Sequence, residues 1–251
     1  MSDSSLIEKI LKTQMKKLIL AGPTGAGKTT IFTSIFPFKS ELLSEVKRNI
    51  KKEQASELAF SVIDEDEFKN STTTVSFNVT TIVACINRAN KMTIHELKNP
   101  TFLLDDEYDF ILPLQIIDIA GQDRFFFMVD TMVRGTSGAI YVADGTNITS
   151  VNNLPKYIDA VRAEGIRRDT TIPGIVFVHK SDLRERSMYV GKEVAESALP
   201  PEYQIFETTV KDPDTITIPL RMLIMDMFDD FLNTEKLANY LRNLKLLQGK
   251  R

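Results

Sequence analysis

A chain of 251 residues can bury a full core as one large domain or two small ones, and we expect one domain with insertions. Hydrophobic residues at 43% and charged residues at 26% exclude general disorder, and a net charge of −3 gives no reason to expect nucleic acid as a partner. No run has the length of a membrane-spanning helix, the N-terminus lacks a signal peptide's apolar core, and neither Ser2 nor the final Gln248-Gly-Lys-Arg251 encodes a lipid anchor. The expectation is therefore a cytoplasmic protein, any membrane contact being peripheral. The single cysteine, Cys85, lies among apolar neighbours and reads as a packed thiol.

Residues 4–13 set Leu6, Ile7, Ile10 and Leu11 on one side of a helix, opposite Glu8, Lys9 and Lys12. We take 1–15 as an amphipathic N-terminal helix that packs on its own domain or meets a membrane surface or partner. Lys17-Leu-Ile-Leu-Ala21 is the short apolar run of a buried parallel strand, and Thr30 to Phe36 can open a helix. Between them, Gly22-Pro-Thr24-Gly25-Ala26-Gly27-Lys28-Thr29 has the spacing of a phosphate-binding P-loop in its required strand-loop-helix context. Glycines at 22, 25 and 27 let the backbone turn tightly and aim N–H groups at phosphate oxygens, beside the positive end of the helix. Residues Gly22, Thr24, Gly25, Ala26, Gly27, Lys28, Thr29 and Thr30 are thus candidates for holding a nucleotide. Lys28 would lie along the β- and γ-phosphates and Thr29 would offer its hydroxyl to Mg²⁺. The alternative is a Gly-rich turn with a chance Lys-Thr.

Lys39 to Asn70 is charged and helix-forming, with Leu42, Leu43, Val46 and Ile50 on one face, and reads as an inserted excursion near 39–70. Its run Asp64-Glu-Asp-Glu67 reads as solvated carboxylates in preference to a metal site. Val75, Phe77, Val79 and Thr81 then alternate with polar residues, which predicts a strand running on to Ile86. Arg88 to Glu107 is polar and joins it to a second strand, Tyr108 to Ile117, as an antiparallel hairpin with a second insertion near 88–107. His95 in that connection is a lone histidine, not a metal ligand. Ala139 to Ala143, Ile175 to Val178 and Gln204 to Glu207 are further strands, and Leu154 to Ala163, Gly191 to Ala198 and Thr215 to Leu232 suit helices. Leu237, Tyr240, Leu241 and Leu244 continue a stripe into a helical extension, 233–251, which we read as a packing face. The alternation implies an α/β fold: a mainly parallel sheet with one antiparallel strand and helices on both faces.

Asp118-Ile-Ala-Gly121-Gln122-Asp-Arg-Phe125 stands at the end of an apolar strand, where doubly wound sheets place ligand contacts. Asp118 could hold the water shell of Mg²⁺, Gly121 could bring its N–H to a γ-phosphate, and Gln122 could orient an attacking water. Ahead of the hairpin, Thr74 is the chosen hydroxyl to reach Mg²⁺ when a γ-phosphate is present. After the next strand but one comes His179-Lys180-Ser181-Asp182. A carboxylate accepts from both N1–H and the 2-amino group of guanine, whereas adenine has neither donor there, so Asp182 argues for guanine. Lys180 would lay its stem over the base, and the N–H groups of Thr209 and Val210 would meet guanine O6.

These motifs, in this order, resemble those of Ras-superfamily small GTPases over roughly residues 16–232, with a P-loop NTPase fold. Thr74-Val-Ser-Phe-Asn-Val79 looks like the first switch of Arf proteins, and His179-Lys-Ser-Asp182 resembles Rag GTPases. Gly121 to Met128 is similar to small GTPases of archaea and bacteria, including the MglA group. The resemblance implies a molecular switch that binds GTP and GDP with Mg²⁺ held by Thr29, Thr74 and, through water, Asp118. Lys28, Thr74 and Gln122 would serve hydrolysis. It implies regulatory partners (an activator, an exchange factor, an effector) and a homo- or heterodimer as an open expectation. Arg124 and Arg134 are candidates for a transition-state arginine in cis, although the family usually draws that group from a partner. Thr24 stands where Ras proteins carry glycine, so slow unassisted turnover is expected, and His179 stands where most relatives carry asparagine, which implies a weaker hold on guanine than Asp182 alone would give. The alternatives are a non-hydrolysing guanine-nucleotide scaffold and, against Asp182, an ATPase or kinase.

Overall fold

The computed structural model describes residues 13–35, 78–87, 91–96, 108–119, 121, 126–185 and 189–234. Its centre is a sheet of seven strands: β1 (Lys16–Ala21), β2 (Asn78–Asn87), β3 (Met92–Glu96), β4 (Tyr108–Asp118), β5 (Gly138–Asp144), β6 (Gly174–His179) and β7 (Gln204–Thr208), in the order β3-β2-β4-β1-β5-β6-β7. Among the described strands β2 alone runs against the rest, pairing antiparallel with both β4 and β3, while β4, β1, β5, β6 and β7 pair in parallel.

The continuous apolar runs of β1, β5 and β6 follow from helices on both faces, since period-two side chains must then be apolar at every position. Leu18, Leu20, Ile140, Val142, Ile175 and Phe177 join one core, with α1 (Lys28–Ile35) and α6 (Asp214–Met227) over them. Ile19, Ala21, Ala139, Tyr141, Val176 and Val178 face the other way. Four helices cover that second face: α2 (Phe126–Met132), α3 (Ile148–Asn152), α4 (Leu154–Arg167) and α5 (Gly191–Ala198). α4 buries Leu154, Tyr157, Ile158, Val161 and Gly165 at helical spacing, and Pro155 opens its first turn, where its missing N–H costs nothing.

Three expectations change. The connection after β2 contains β3: Met92 and Ile94 reach the core while Thr93 and His95 take the other face, and an edge strand needs no more apolar residues than that. The helix expected over 215–232 is interrupted at Phe228, whose φ of −108° and ψ of 13° turn its fully buried ring beneath the Lys16 ammonium, 5.0 Å from the ring centre; helix resumes over 229–234. Residues 13–15 are not helical, and the remainder of the expected N-terminal helix, the 39–70 insertion and the stripe beyond 234 lie outside the described residues. No described helix is long and apolar enough to cross a membrane.

The carboxyl ends of β1, β4, β5, β6 and β7 share one edge of the sheet. There register sets Leu20 beside Asp118, Asp118 beside Asn78, Asp144 beside His179, and His179 beside Thr208.

Candidate functional site

The loop between β1 and α1 shapes the first part of this edge. Gly22, Gly25 and Gly27 all have positive φ (149°, 75° and 97°), which L side chains rarely adopt, and a Cβ on Gly22 would lie 2.1 Å from the Val142 carbonyl oxygen. Lys28 turns back over this loop and donates to the carbonyls of Gly22 (2.7 Å) and Pro23 (2.9 Å). An ammonium has three donors, so two anchor it and one is left for an anion in the loop. Burial lowers the Lys28 pKa to about 8, against a raising influence from Asp118. Such a desolvated cation gains strongly from a phosphate. Ala26 is buried, while Thr24, Gly25 and Thr30 are exposed along the rim.

Beside Lys28, Thr29 Oγ1 donates to Asp118 Oδ2 at 2.6 Å and Asn78 Nδ2 donates to the same oxygen at 3.0 Å. Asp118 is fully buried and its Oδ1 has no hydrogen-bond partner. Burial raises its pKa, opposed by the Thr29 and Asn78 hydrogen bonds and the Lys28 charge. A buried carboxylate oxygen without a donor is costly alone and is suited to a hydrated cation, so the residues present fit Mg²⁺. Among the described residues no three His, Cys, Asp or Glu cluster as metal ligands.

Gly121 rests on the loop from the β4 side. A Cβ there would fall 2.5 Å from both Lys28 Nζ and the Pro23 carbonyl carbon, and 2.6 Å from the Gly22 oxygen, so no larger residue fits.

The second part of the edge follows β6. His179 is 3% exposed, its Nδ1 is 3.0 Å from Thr208 Oγ1, and its Cδ2 is 2.4 Å from where a Gly27 Cβ would sit. The imidazole thus ties the P-loop to the ends of β6 and β7. Burial, then the Lys180 charge, lowers its pKa to about 4, and the ring is neutral at physiological pH. Lys180 adopts φ 68° and ψ 35° and pairs with Asp144 at 2.6 Å. Asp182 accepts from Thr209 Oγ1 at 2.8 Å and pairs with Lys211 at 2.7 Å, and those bonds hold its pKa below the ordinary carboxylate value. Each carboxylate oxygen keeps a further lone pair for a base edge.

Of the expected site residues, Gly22 to Thr30, Asp118, Gly121, His179, Lys180, Asp182, Thr209 and Val210 thus stand on one edge. Thr74, Gln122 and Arg124 lie outside the described residues. The Thr209 N–H donates to Thr215 Oγ1 at 3.0 Å, so this amide is already engaged and the Thr209 hydroxyl is what faces Asp182. Arg134 is misplaced as a catalytic arginine. Its carbonyl accepts from Lys17 at the start of β1, whereas the P-loop follows the end of that strand, roughly 13 Å away at strand rise.

Two contributors escaped sequence reasoning. Asn78 is one of the polar residues that alternate along β2, and pairing with β4 brings it to Asp118. Tyr157 reads as one more core residue of α4, yet its hydroxyl reaches the Gly121 carbonyl at 3.3 Å. No local spacing signals either contact.

Residues 84–229 match the Ras family model, a stretch that begins within β2 and so lies after the P-loop. The chain is 31% identical over 121 residues to Ras-related protein RABA5e of Arabidopsis thaliana, covering 46% of this chain and 52% of that protein. It is 32% identical over 116 residues to Ras-related protein Rab-7b of Bos taurus, with 46% and 57% covered. To the intraflagellar transport protein 27 homolog of Homo sapiens it is 30% identical over 110 residues, with 44% and 58% covered. The chain thus spans somewhat more than half the length of these relatives. They are Rab and intraflagellar transport proteins, not Arf, Rag or MglA proteins. A family match over more than half the chain, on a sheet whose carboxyl edge carries the Lys28 cradle and the Asp182 loop, shows that the chain belongs to the Ras family.

Proposed function

We propose that this chain is a guanine-nucleotide switch that binds GTP and GDP with Mg²⁺ and hydrolyses GTP slowly. The supporting observation is the join between two half-sites: the His179 ring, pressed on Gly27, sets the Asp182 loop beside the P-loop that anchors Lys28. In this reading Lys28 and the loop amides stabilise negative charge on the phosphates. Asp182 accepts from the guanine edge and Lys180 covers the base, with Val210 beyond it. Thr29, Thr74 and, through water, Asp118 would hold Mg²⁺, which neutralises charge on the β- and γ-oxygens when bound. Gln122 would orient the attacking water, and Thr74 and Gly121 would respond to the γ-phosphate.

A transition-state arginine then comes from a partner, with the insertions near 39–70 and 88–107 as surfaces for it. The same reading takes in an exchange factor, an effector, a cytoplasmic location and peripheral membrane contact through residues 4–13. The Arf leaning rests on Thr74 to Val79, the Rag leaning on His179 to Asp182 and the MglA leaning on Gly121 to Met128. A second reading, a guanine-nucleotide scaffold without turnover, is favoured by the exposed Thr24 side chain on the P-loop rim.

The deciding experiment measures binding of GDP, GTP and ATP with Mg²⁺, then phosphate release from bound GTP with and without Gln122→Leu. Guanine selectivity with slow, Gln122-dependent release supports the switch. Selective binding with no release supports the scaffold, and ATP binding equal to GTP overturns both.

A further inference from the structure

We propose that Tyr157 is a positioning residue for the γ-phosphate response, acting through the Gly121 carbonyl; this rests on the guanine-nucleotide reading above. Tyr157 sits in the first turn of α4, 1% exposed, and its ring is fixed between the sheet and the helix layer. The Lys156 ammonium lies 5.3 Å from the ring centre. The side chain is therefore a rigid strut, and its hydroxyl ends 3.3 Å from the Gly121 oxygen. The hydrogen-side face of the Gly121 Cα packs on Lys28 Nζ, Pro23 and Gly22, with no room for a Cβ. The glycine thus packs closely on the P-loop lysine and also accepts from a hydroxyl carried by a helix 36 residues further along the chain.

The consequence concerns one end of the nucleotide. Lys28 serves both diphosphate and triphosphate, but only a triphosphate places charge beyond the β-position, where the backbone at Gly121 meets it. A bond that keeps Gly121 against Lys28 favours the ligand that needs Gly121 there. Without it, the glycine must be ordered when the triphosphate binds, and the diphosphate is spared that cost. A tyrosine that merely filled the core would contribute equally to both complexes.

The test compares the intact chain with Tyr157→Phe, which removes the hydroxyl and keeps the ring. Dissociation constants for GDP and for a non-hydrolysable GTP analogue are measured with Mg²⁺, with thermal melts of both loaded forms. The expected result is analogue binding weakened about 2- to 10-fold, the range for losing one hydrogen bond, with GDP binding unchanged. An unchanged ratio of the two constants, or equal weakening and equal loss of melting temperature in both forms, overturns the inference while leaving the guanine-nucleotide reading intact. If the unsubstituted chain shows no preference for guanine over adenine nucleotides, the underlying reading fails, and this inference with it.

Discussion

Lys28 and His179 show how burial adjusts single groups at this site. An ordinary lysine stays charged to above pH 10, but Lys28 begins to lose its proton near pH 8. Phosphate binding uses the charged form, so affinity for nucleotide should fall toward tenfold per pH unit above 8, measurable by titration calorimetry between pH 7 and 10. The unfolded chain holds this proton up to the ordinary value of 10.5, so the same lowering makes the Lys28 contribution to stability rise between about pH 8 and 10.5. For His179 the window is acidic. Its folded value of about 4 lies below the ordinary 6.5, so the unfolded state binds more protons between these values. Its contribution is intact above pH 6.5 and is lost on acidification toward pH 4, by roughly 3 kcal/mol. Denaturant melts should show this slope, and His179→Asn should flatten it. Gly27→Ala should cost about 1–3 kcal/mol through the forced positive φ, with further loss from its collision with the His179 ring. Part of that second loss should return in a His179→Ala background. The residue types at these positions were legible from spacing, because a P-loop is a local motif. The protonation behaviour was not, because it depends on which strands bury each group.

At the level of elements, α4 carries more than core packing. Glu164 on its last full turn is 3% exposed, and its Oε1 accepts from the Gly135 N–H at 2.7 Å, while Oε2 pairs with Arg167. The helix is therefore bonded at one end to the turn between α2 and β5 and at the other, through Tyr157, to Gly121. Removing the carboxylate with Glu164→Ala should cost about 1–3 kcal/mol, because the Gly135 donor loses its partner. Glu164→Gln, which keeps an acceptor oxygen, should cost less; the drop in melting temperature measures both. Elements with strong periodicity were legible, as the match between the expected and observed bounds of α5 illustrates. β3 was not, since Met92-Thr-Ile-His-Glu96 becomes a strand through hydrogen bonds from β2 and offers only two inward apolar residues. The turn at Phe228 was hidden for a similar reason: the apolar stripe continues through it, and the pull of the buried ring toward Lys16 is a tertiary contact.

For the whole molecule, Cys85 supplies a probe of cooperative opening. It is fully buried on β2 and burial pushes its thiol pKa up to about 12, so a thiol reagent should react only with opened molecules. A ligand bound only by the folded state stabilises it by about 2.7 kcal/mol at 100 times its dissociation constant. Saturating guanine nucleotide with Mg²⁺ should therefore slow labelling of Cys85 by about two orders of magnitude, and the adenine nucleotide should not. Equal protection by both would count against the base-recognition role proposed for Asp182.

By itself the sequence determined the P-loop spacing and the α/β alternation with one reversed strand, and it named candidates to meet phosphate, cation and base. Each of those is written in spacing along a few neighbouring residues, where period, turn chemistry and donor inventory act directly. The tertiary structure alone decided that Asn78 shares Asp118 with Thr29, that His179 braces Gly27, that Arg134 lies at the far end of the sheet, and that Tyr157 reaches Gly121. Those contacts join residues distant in sequence. They are fixed by strand order, by register and by the face each helix covers, and none of these is a property of any local stretch of chain.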